Sequence, residues 1–136
     1  MKAVSIERKP CTHLAGEFFV AAELSRRGYN VGLTIGNAKK VDLIVECEGK
    51  TLPIQVKALA KKKNVGWPLN LEQRYEKSLV FVLVVLGPSG SQPEYYILSG
   101  DIIEKRRKGY KNRGIINISD VQDYKDKWSV IERRIG

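Results

Sequence analysis

Eight consecutive residues, Leu79 to Leu86 (LVFVLVVL), carry no polar side chain. The run is far short of the roughly 20 residues that a membrane-spanning helix needs. Its valines favour a pleated strand over a helix. Because both alternating faces are apolar, the run predicts a central strand that other layers cover on both sides. The rest of the chain has to supply those layers.

A helix is predicted over Thr12 to Arg27, with Thr12 as N-cap and Gly28 as the stop. Leu14, Phe18, Ala21, Ala22 and Ser25 share one of its faces, and Glu23, Arg26 and Arg27 lie on the other side. Asn30 to Ile35 predicts a strand and Gly36-Asn37 a turn. Val41 to Cys47 and Thr51 to Lys57 predict two strands joined through Glu48-Gly49 as a hairpin. After the central run, Glu94 to Leu98 returns as another strand, and helices are predicted at Asp101 to Lys108 and Ser119 to Arg134. In the last helix Val121, Tyr124, Trp128 and Ile131 line one side, and Ser119 with Gln122 has the spacing of a capping box. No repeat or linker divides the 136 residues. The expectation is one α/β domain spanning residues 1–136, with a central mixed β-sheet flanked by helices.

Lys and Arg number 24 against 15 Asp and Glu, a formal charge of +9, which favours a polyanionic partner such as nucleic acid. Cys11 and Cys47 are too few for a disulfide framework, and Met1 to Pro10 lacks the apolar segment of a signal peptide, so a cytoplasmic location is expected. His13 is the single histidine, and with no Cys/His cluster a structural zinc site is not expected. It precedes Glu17 by one helical turn. A histidine near a helix start has an ordinary structural reading, and assistance at a site is the sharper one.

The stretch Val41 to Lys57 carries the chemistry. With Glu48-Gly49 as a two-residue turn, Cys47 pairs with Lys50, and counting outward sets Asp42 opposite Gln55. Asp42, Gln55 and Lys57 then share one face, while Val41, Leu43, Val45, Cys47, Leu52, Ile54 and Val56 gather on the other. A solvated strand face with one salt bridge would present the same polar residues. Glu17, however, falls beside the apolar arc of the first helix. A carboxylate there is costly unless it is ion-paired, caps a loop amide or binds a metal.

Glu17 in an opening helix, Asp42 at a strand start and Gln55-Val56-Lys57 on the next strand resemble the PD-(D/E)XK nuclease superfamily, which includes restriction enzymes and archaeal Holliday-junction resolvases. The resemblance runs from about Thr12 to Leu86 and rests on GNAKKVDLIVE and IQVK. It implies a restriction-endonuclease-like core and a metal-dependent endonuclease that hydrolyses DNA phosphodiesters. Mg2+ is the implied cofactor, with Mn2+ as substitute. Asp42, Gln55, the Val56 carbonyl and Glu17 are the implied metal ligands, and Lys57 orients the attacking water. Two positions depart from the pattern. Val41 stands where the family has proline, and Gln55 where it has an acid. The amide oxygen still binds a cation, but the site carries one negative charge fewer. A DNA-binding module that kept the nuclease fold without turnover is the alternative.

Lys61, Lys62 and Lys63, then Arg106, Arg107, Lys108, Lys111 and Arg113, are the candidate contacts to nucleic acid. Trp67 and Tyr110 are candidates for stacking on bases, against anchoring of a loop to the core as the plainer role. Cutting two strands with one centre per chain favours a homodimer, with the Tyr95-Tyr96 strand and the Trp128 helix as candidate interfaces or, equally, as core.

Overall fold

The computed structural model describes residues 8–34, 41–60 and 66–136. Helix α1 (Thr12–Arg26) leads into strands β1 (Asn30–Leu33), β2 (Leu43–Cys47) and β3 (Lys50–Leu59). The short β4 (Trp67–Leu69) precedes the central β5 (Val80–Val85) and β6 (Glu94–Ser99). Helix α2 (Gly100–Arg106), strands β7 (Lys108–Tyr110) and β8 (Arg113–Ile116), two 3-10 turns and helix α3 (Ser129–Ile135) complete the chain.

Five strands form a mixed sheet in the order β1-β2-β3-β5-β6, with β3 and β5 parallel and the other neighbours antiparallel. The fold is α/β, as the sequence predicts. All six residues of β5 are buried, so the uninterrupted apolar run is the strand covered on both faces. Val80, Val82 and Val84 face one core with Val20, Leu24, Trp128 and Ile131 from α1, α3 and the turn before α3. Phe81, Leu83 and Val85 face the other core with Trp67, Ile103, Ile116 and Val121.

A second, three-stranded sheet of order β4-β8-β7 covers that other face and has no counterpart in the sequence reading. Lys108, predicted as the end of a helix, begins β7 instead. Pro68 sits within β4, where its missing N–H is tolerated because the strand is at the edge. Trp67 is fully buried and donates its indole N–H to the Val84 carbonyl at 3.1 Å, so it anchors the core and is not available for stacking on a base. Nothing is described of the Tyr110 side chain.

The predicted helix over Ser119 to Arg134 is replaced by 3-10 turns at Ile118–Asp120 and Gln122–Tyr124, and only Ser129–Ile135 is α-helical. Edge strand β6 diverts the chain: Asp126 N–H donates to the Tyr95 carbonyl at 2.9 Å, with Asp126 at a φ of 53°. Val121 therefore joins one core while Trp128 and Ile131 join the other. The expected Ser119/Gln122 capping box does not form there. Asn117 N–H donates to the Asp120 carboxylate at 2.9 Å one turn earlier.

Three further expectations are corrected. Thr12 lies inside α1, with Cys11 at the N-cap position and no side-chain cap. The stop at Gly28 does hold, because its φ of 96° lets Tyr29 N–H reach back to the Leu24 carbonyl at 3.2 Å. The buried face of α1 is not Leu14, Phe18, Ala22 and Ser25, which are exposed, but Gly16, Glu17, Val20 and Leu24. Tyr95, Tyr96 and Trp128, the expected interface residues, are buried within the chain. Gly36-Asn37 lies outside the described residues.

Candidate active site

The hairpin forms in the predicted register, with Cys47 opposite Lys50 and Leu43 opposite Ile54. Glu48 and Gly49 have φ of 50° and 83°, the positive pair of a type I′ turn. Asp42 lies immediately before β2, where the regular pairing stops at Leu43 and Ile54. There the chain bends. Asp42 N–H donates to the Ile54 carbonyl at 2.9 Å, but Asp42 lies before the start of β2, and the Val56 N–H donates to Asp42 Oδ2 at 2.8 Å. Val56 points its peptide groups the same way as Ile54, so its carbonyl also faces the gap where β2 and β3 part.

The bend changes one predicted assignment. Val41, expected on the face of Leu43 and Val45, packs with the other core. The Asp42 carboxylate is correspondingly turned towards α1 and does not simply share the face of Gln55 and Lys57. Thr34, just after β1, clamps the bend. Its N–H donates to the Asp42 carbonyl at 3.0 Å, and its hydroxyl donates to the carbonyls of Val41 and Asp42. Sequence reasoning passed over Thr34, because a hydroxyl holding a backbone bend leaves no periodic signal.

Helix α1 brings the next carboxylate. Gly16 lets the helix sit directly on β3: a Cβ at this position would lie 2.5 Å from the Cβ of Ala58. Glu17 follows it and faces the sheet. Glu17 and Asp42 are, with Ser99, the buried polar or charged residues among those described. His13, one turn before Glu17, sets Nε2 3.2 Å from Glu17 Oε2 and 3.7 Å from Asp42 Oδ1. The imidazole is 59% exposed and lies at the mouth of the two buried carboxylates. One ligand atom from each of the three lies within 4.8 Å of the others.

On the opposite face of β3, Gln55 and Lys57 lie alongside Phe81 and Leu83 of β5. Burial pushes the Lys57 ammonium below the usual lysine range, and the Asp42 charge opposes that shift. Gln55 Oε1 is buried with no hydrogen-bond partner among the described residues, an acceptor that a cation or a water would satisfy. A cleft of about 210 Å³ opens beside Gln55, lined by Val41, Pro53, Gln73, Arg74 and Leu79 among others. The two buried carboxylates and the Val56 carbonyl make an oxygen-rich donor set of the kind that suits a hard divalent ion, while the Gln55 amide oxygen lies on the other face of β3.

The predicted nucleic-acid contacts divide sharply. Arg106 is held by Asp123 in a bidentate pair at 2.6 and 3.0 Å and lies over the Tyr124 ring. Arg107 donates to the carbonyls of Asn70 and Gln73 and stacks on Tyr75. Lys108 pairs with Asp120 at 2.7 Å. These three brace the second sheet and the loop before β5. Lys111 and Arg113 are exposed at the tip of the β7–β8 hairpin, where Lys111 and Asn112 both take positive φ. Lys61, Lys62 and Lys63 lie outside the described residues.

Among solved structures, the chain is similar to a bacterial homing endonuclease, I-Ssp6803I, with a TM-score of 0.60 and 16% identity over 90% of this chain and 91% of that one. It is also similar to Hjc of Archaeoglobus fulgidus, a Holliday junction resolvase from an archaeal hyperthermophile, with a TM-score of 0.51 and 14% identity over 81% and 87% of the two chains. No family model and no curated protein matches the sequence. The architecture is the restriction-endonuclease-like nuclease fold shared with these two structures. Among the described residues no helix is long and apolar enough to cross a membrane.

Proposed function

We propose that this chain is a metal-dependent endonuclease that hydrolyses DNA phosphodiester bonds. One observation carries the reading: the buried Asp42 carboxylate sits where β2 and β3 part, bonded to Val56 N–H, with Glu17 and His13 against it and Lys57 within its electrostatic reach. The nuclease fold of the two similar structures supports it.

Asp42, Glu17, Gln55 Oε1 and the Val56 carbonyl would hold Mg2+, or Mn2+ in its place. Such an ion, when bound, acidifies a water and offsets charge on the phosphate oxygens. Lys57 is placed to orient that water and to offset negative charge as the phosphorus centre becomes five-coordinate. The half-buried setting that lowers its proton affinity also concentrates its charge on near neighbours. Lys111 and Arg113, at the hairpin tip, would follow the phosphate backbone with little regard to sequence.

The second reading, a DNA-binding module without turnover, is favoured by one feature: Gln55 stands at a position where a carboxylate would strengthen cation binding. Labelled duplex and branched DNA, incubated with Mg2+ or Mn2+ and compared with an EDTA control and Asp42→Asn, separates the two. The endonuclease reading expects cleavage by the unaltered chain with either ion, and none in EDTA or with Asp42→Asn, which should still bind DNA. Binding without cleavage of any DNA form in both ions would establish the module.

A further inference from the structure

We infer that His13 is a nitrogen ligand of the metal centre, and that it biases the site towards first-row transition ions over Mg2+. This rests on the nuclease reading above and goes beyond its all-oxygen ligand set.

The distances fit a shared ion. Donor atoms each about 2.1 Å from one metal lie about 3.0 Å apart when adjacent in an octahedron and about 4.2 Å apart when opposite. His13 Nε2 lies 3.2 Å from Glu17 Oε2 and 3.7 Å from Asp42 Oδ1, within that range. His13 and Glu17 are one turn apart on α1, so the helix itself fixes their spacing. Asp42 is fixed independently, by the Val56 N–H and by the Thr34 clamp on its backbone.

The exposure pattern points the same way. Glu17 and Asp42 are nearly inaccessible at 2% and 3%, while His13 is 59% exposed and contributes little to the core. It nevertheless turns Nε2 inward onto both carboxylates.

Chemistry then distinguishes the ions. Mg2+ prefers oxygen ligands and keeps much of its hydration, so it gains little from an imidazole. Affinity for nitrogen donors rises from Mn2+ through Co2+ to Cu2+. An amide at Gln55 in place of an acid removes charge that a hard ion relies on, and a neutral imidazole restores affinity selectively for softer ions. The plainer role for His13, an imidazolium that offsets the two carboxylates, makes the opposite forecast, since removing a positive charge leaves cation binding unchanged or stronger.

Calorimetric titration of the full chain with CoCl2 and with MgCl2, without DNA, tests this on wild type, His13→Ala and Asp42→Asn. The visible absorption of bound Co2+ is recorded alongside, as a report of its ligand field that loss of an imidazole would shift. Alanine is a strong helix former at this exposed site, and circular dichroism verifies the fold. The expected result is a loss of Co2+ affinity of about tenfold or more in His13→Ala, at least what losing a group that merely orients a metal ligand costs. The Co2+ spectrum should change as well, and Mg2+ affinity should move by less than about threefold, since an oxygen-preferring ion draws little from the imidazole. Asp42-dependent Co2+ binding with an unchanged or improved affinity in His13→Ala overturns this inference and leaves the nuclease reading standing. Absence of any Asp42-dependent binding removes the metal centre, and the inference with it.

Discussion

Gly16→Ala should damage the site without touching a single charged group. The new methyl carbon would lie 2.5 Å from Ala58 Cβ, whereas carbon atoms in contact sit about 3.5–4.0 Å apart. Ala58 carries no flexible side chain to swing away, so α1 has to withdraw from β3 by roughly 1 Å to reach that contact distance. Overpacking by one methyl costs about 1–3 kcal/mol. Replacing a mid-helix glycine by alanine returns about 1 kcal/mol of helix propensity. The net destabilisation is then roughly 0–2 kcal/mol, a fall in melting temperature of a few degrees for a chain of this size.

The effect on catalysis should be much larger. Glu17 and His13 ride on α1, whereas Asp42, Val56 and Lys57 belong to the sheet, so the helix displacement splits the two halves of the centre. Misplacement by about 1 Å can cost about 100-fold in rate. Single-turnover cleavage at saturating Mn2+, beside a thermal melt, reads both effects on one preparation. Ala58→Gly removes the opposing methyl, so Gly16→Ala/Ala58→Gly should recover at least tenfold of the lost rate, a coupling that a double-mutant cycle measures directly. Cleavage by Gly16→Ala within twofold of wild type, with the fold intact, would refute the reasoning. Failure of the second substitution to restore any rate would do the same.

Two further outcomes are expected. Lys57→Met should abolish cleavage yet raise stability at pH 7, because burial disfavours the ammonium in the folded state. A lysine whose folded pKa lies below its unfolded value makes the native state gain stability as pH rises between the two, so denaturant titrations should show the advantage of Lys57→Met shrinking as pH rises from 7 towards 10. A gap that stays constant over that window would show that Lys57 is not penalised by burial; Tyr95, pushed up to about 12, enters only above it and with the opposite sign. Lys111→Ala/Arg113→Ala should weaken DNA binding alike on all sequences and lower the salt slope of affinity by up to about 2, as two lost phosphate contacts do. An unchanged slope, or a loss confined to particular sequences, would contradict phosphate tracking by the hairpin tip.

What the sequence disclosed follows the length of its periodic signals. Leu79 to Leu86 and the alternation through Val41 to Lys57 are long enough to fix a buried strand and the hairpin register from Leu43 to Ile54, but counting from the turn does not foresee the bend at Asp42. The second sheet is built from strands of three and four residues, too few alternations to stand out, and one of them contains a proline. The burial of Val121, Trp128 and Ile131 was legible as a stripe, but not the detour around β6 that places them in two different cores. The misreading of α1 has a different origin. Hydrophobic patterning selects Leu14 and Phe18 as the core face, yet the helix buries Gly16 and Glu17, and Phe18 is left 55% exposed. A glycine earns no weight in an apolar count, although the absence of its side chain is what allows the backbone to approach β3. A carboxylate counts against burial, although a site that gathers charge has to bury one. Violations of local pattern are expected to concentrate where function overrides packing. On α1 the two violations are adjacent in sequence, and the residue one turn before them is the histidine that meets both carboxylates. The pattern fails on this helix at the face that sets Glu17 and His13 beside Asp42, and the core is completed by Val20 and Leu24 further along it.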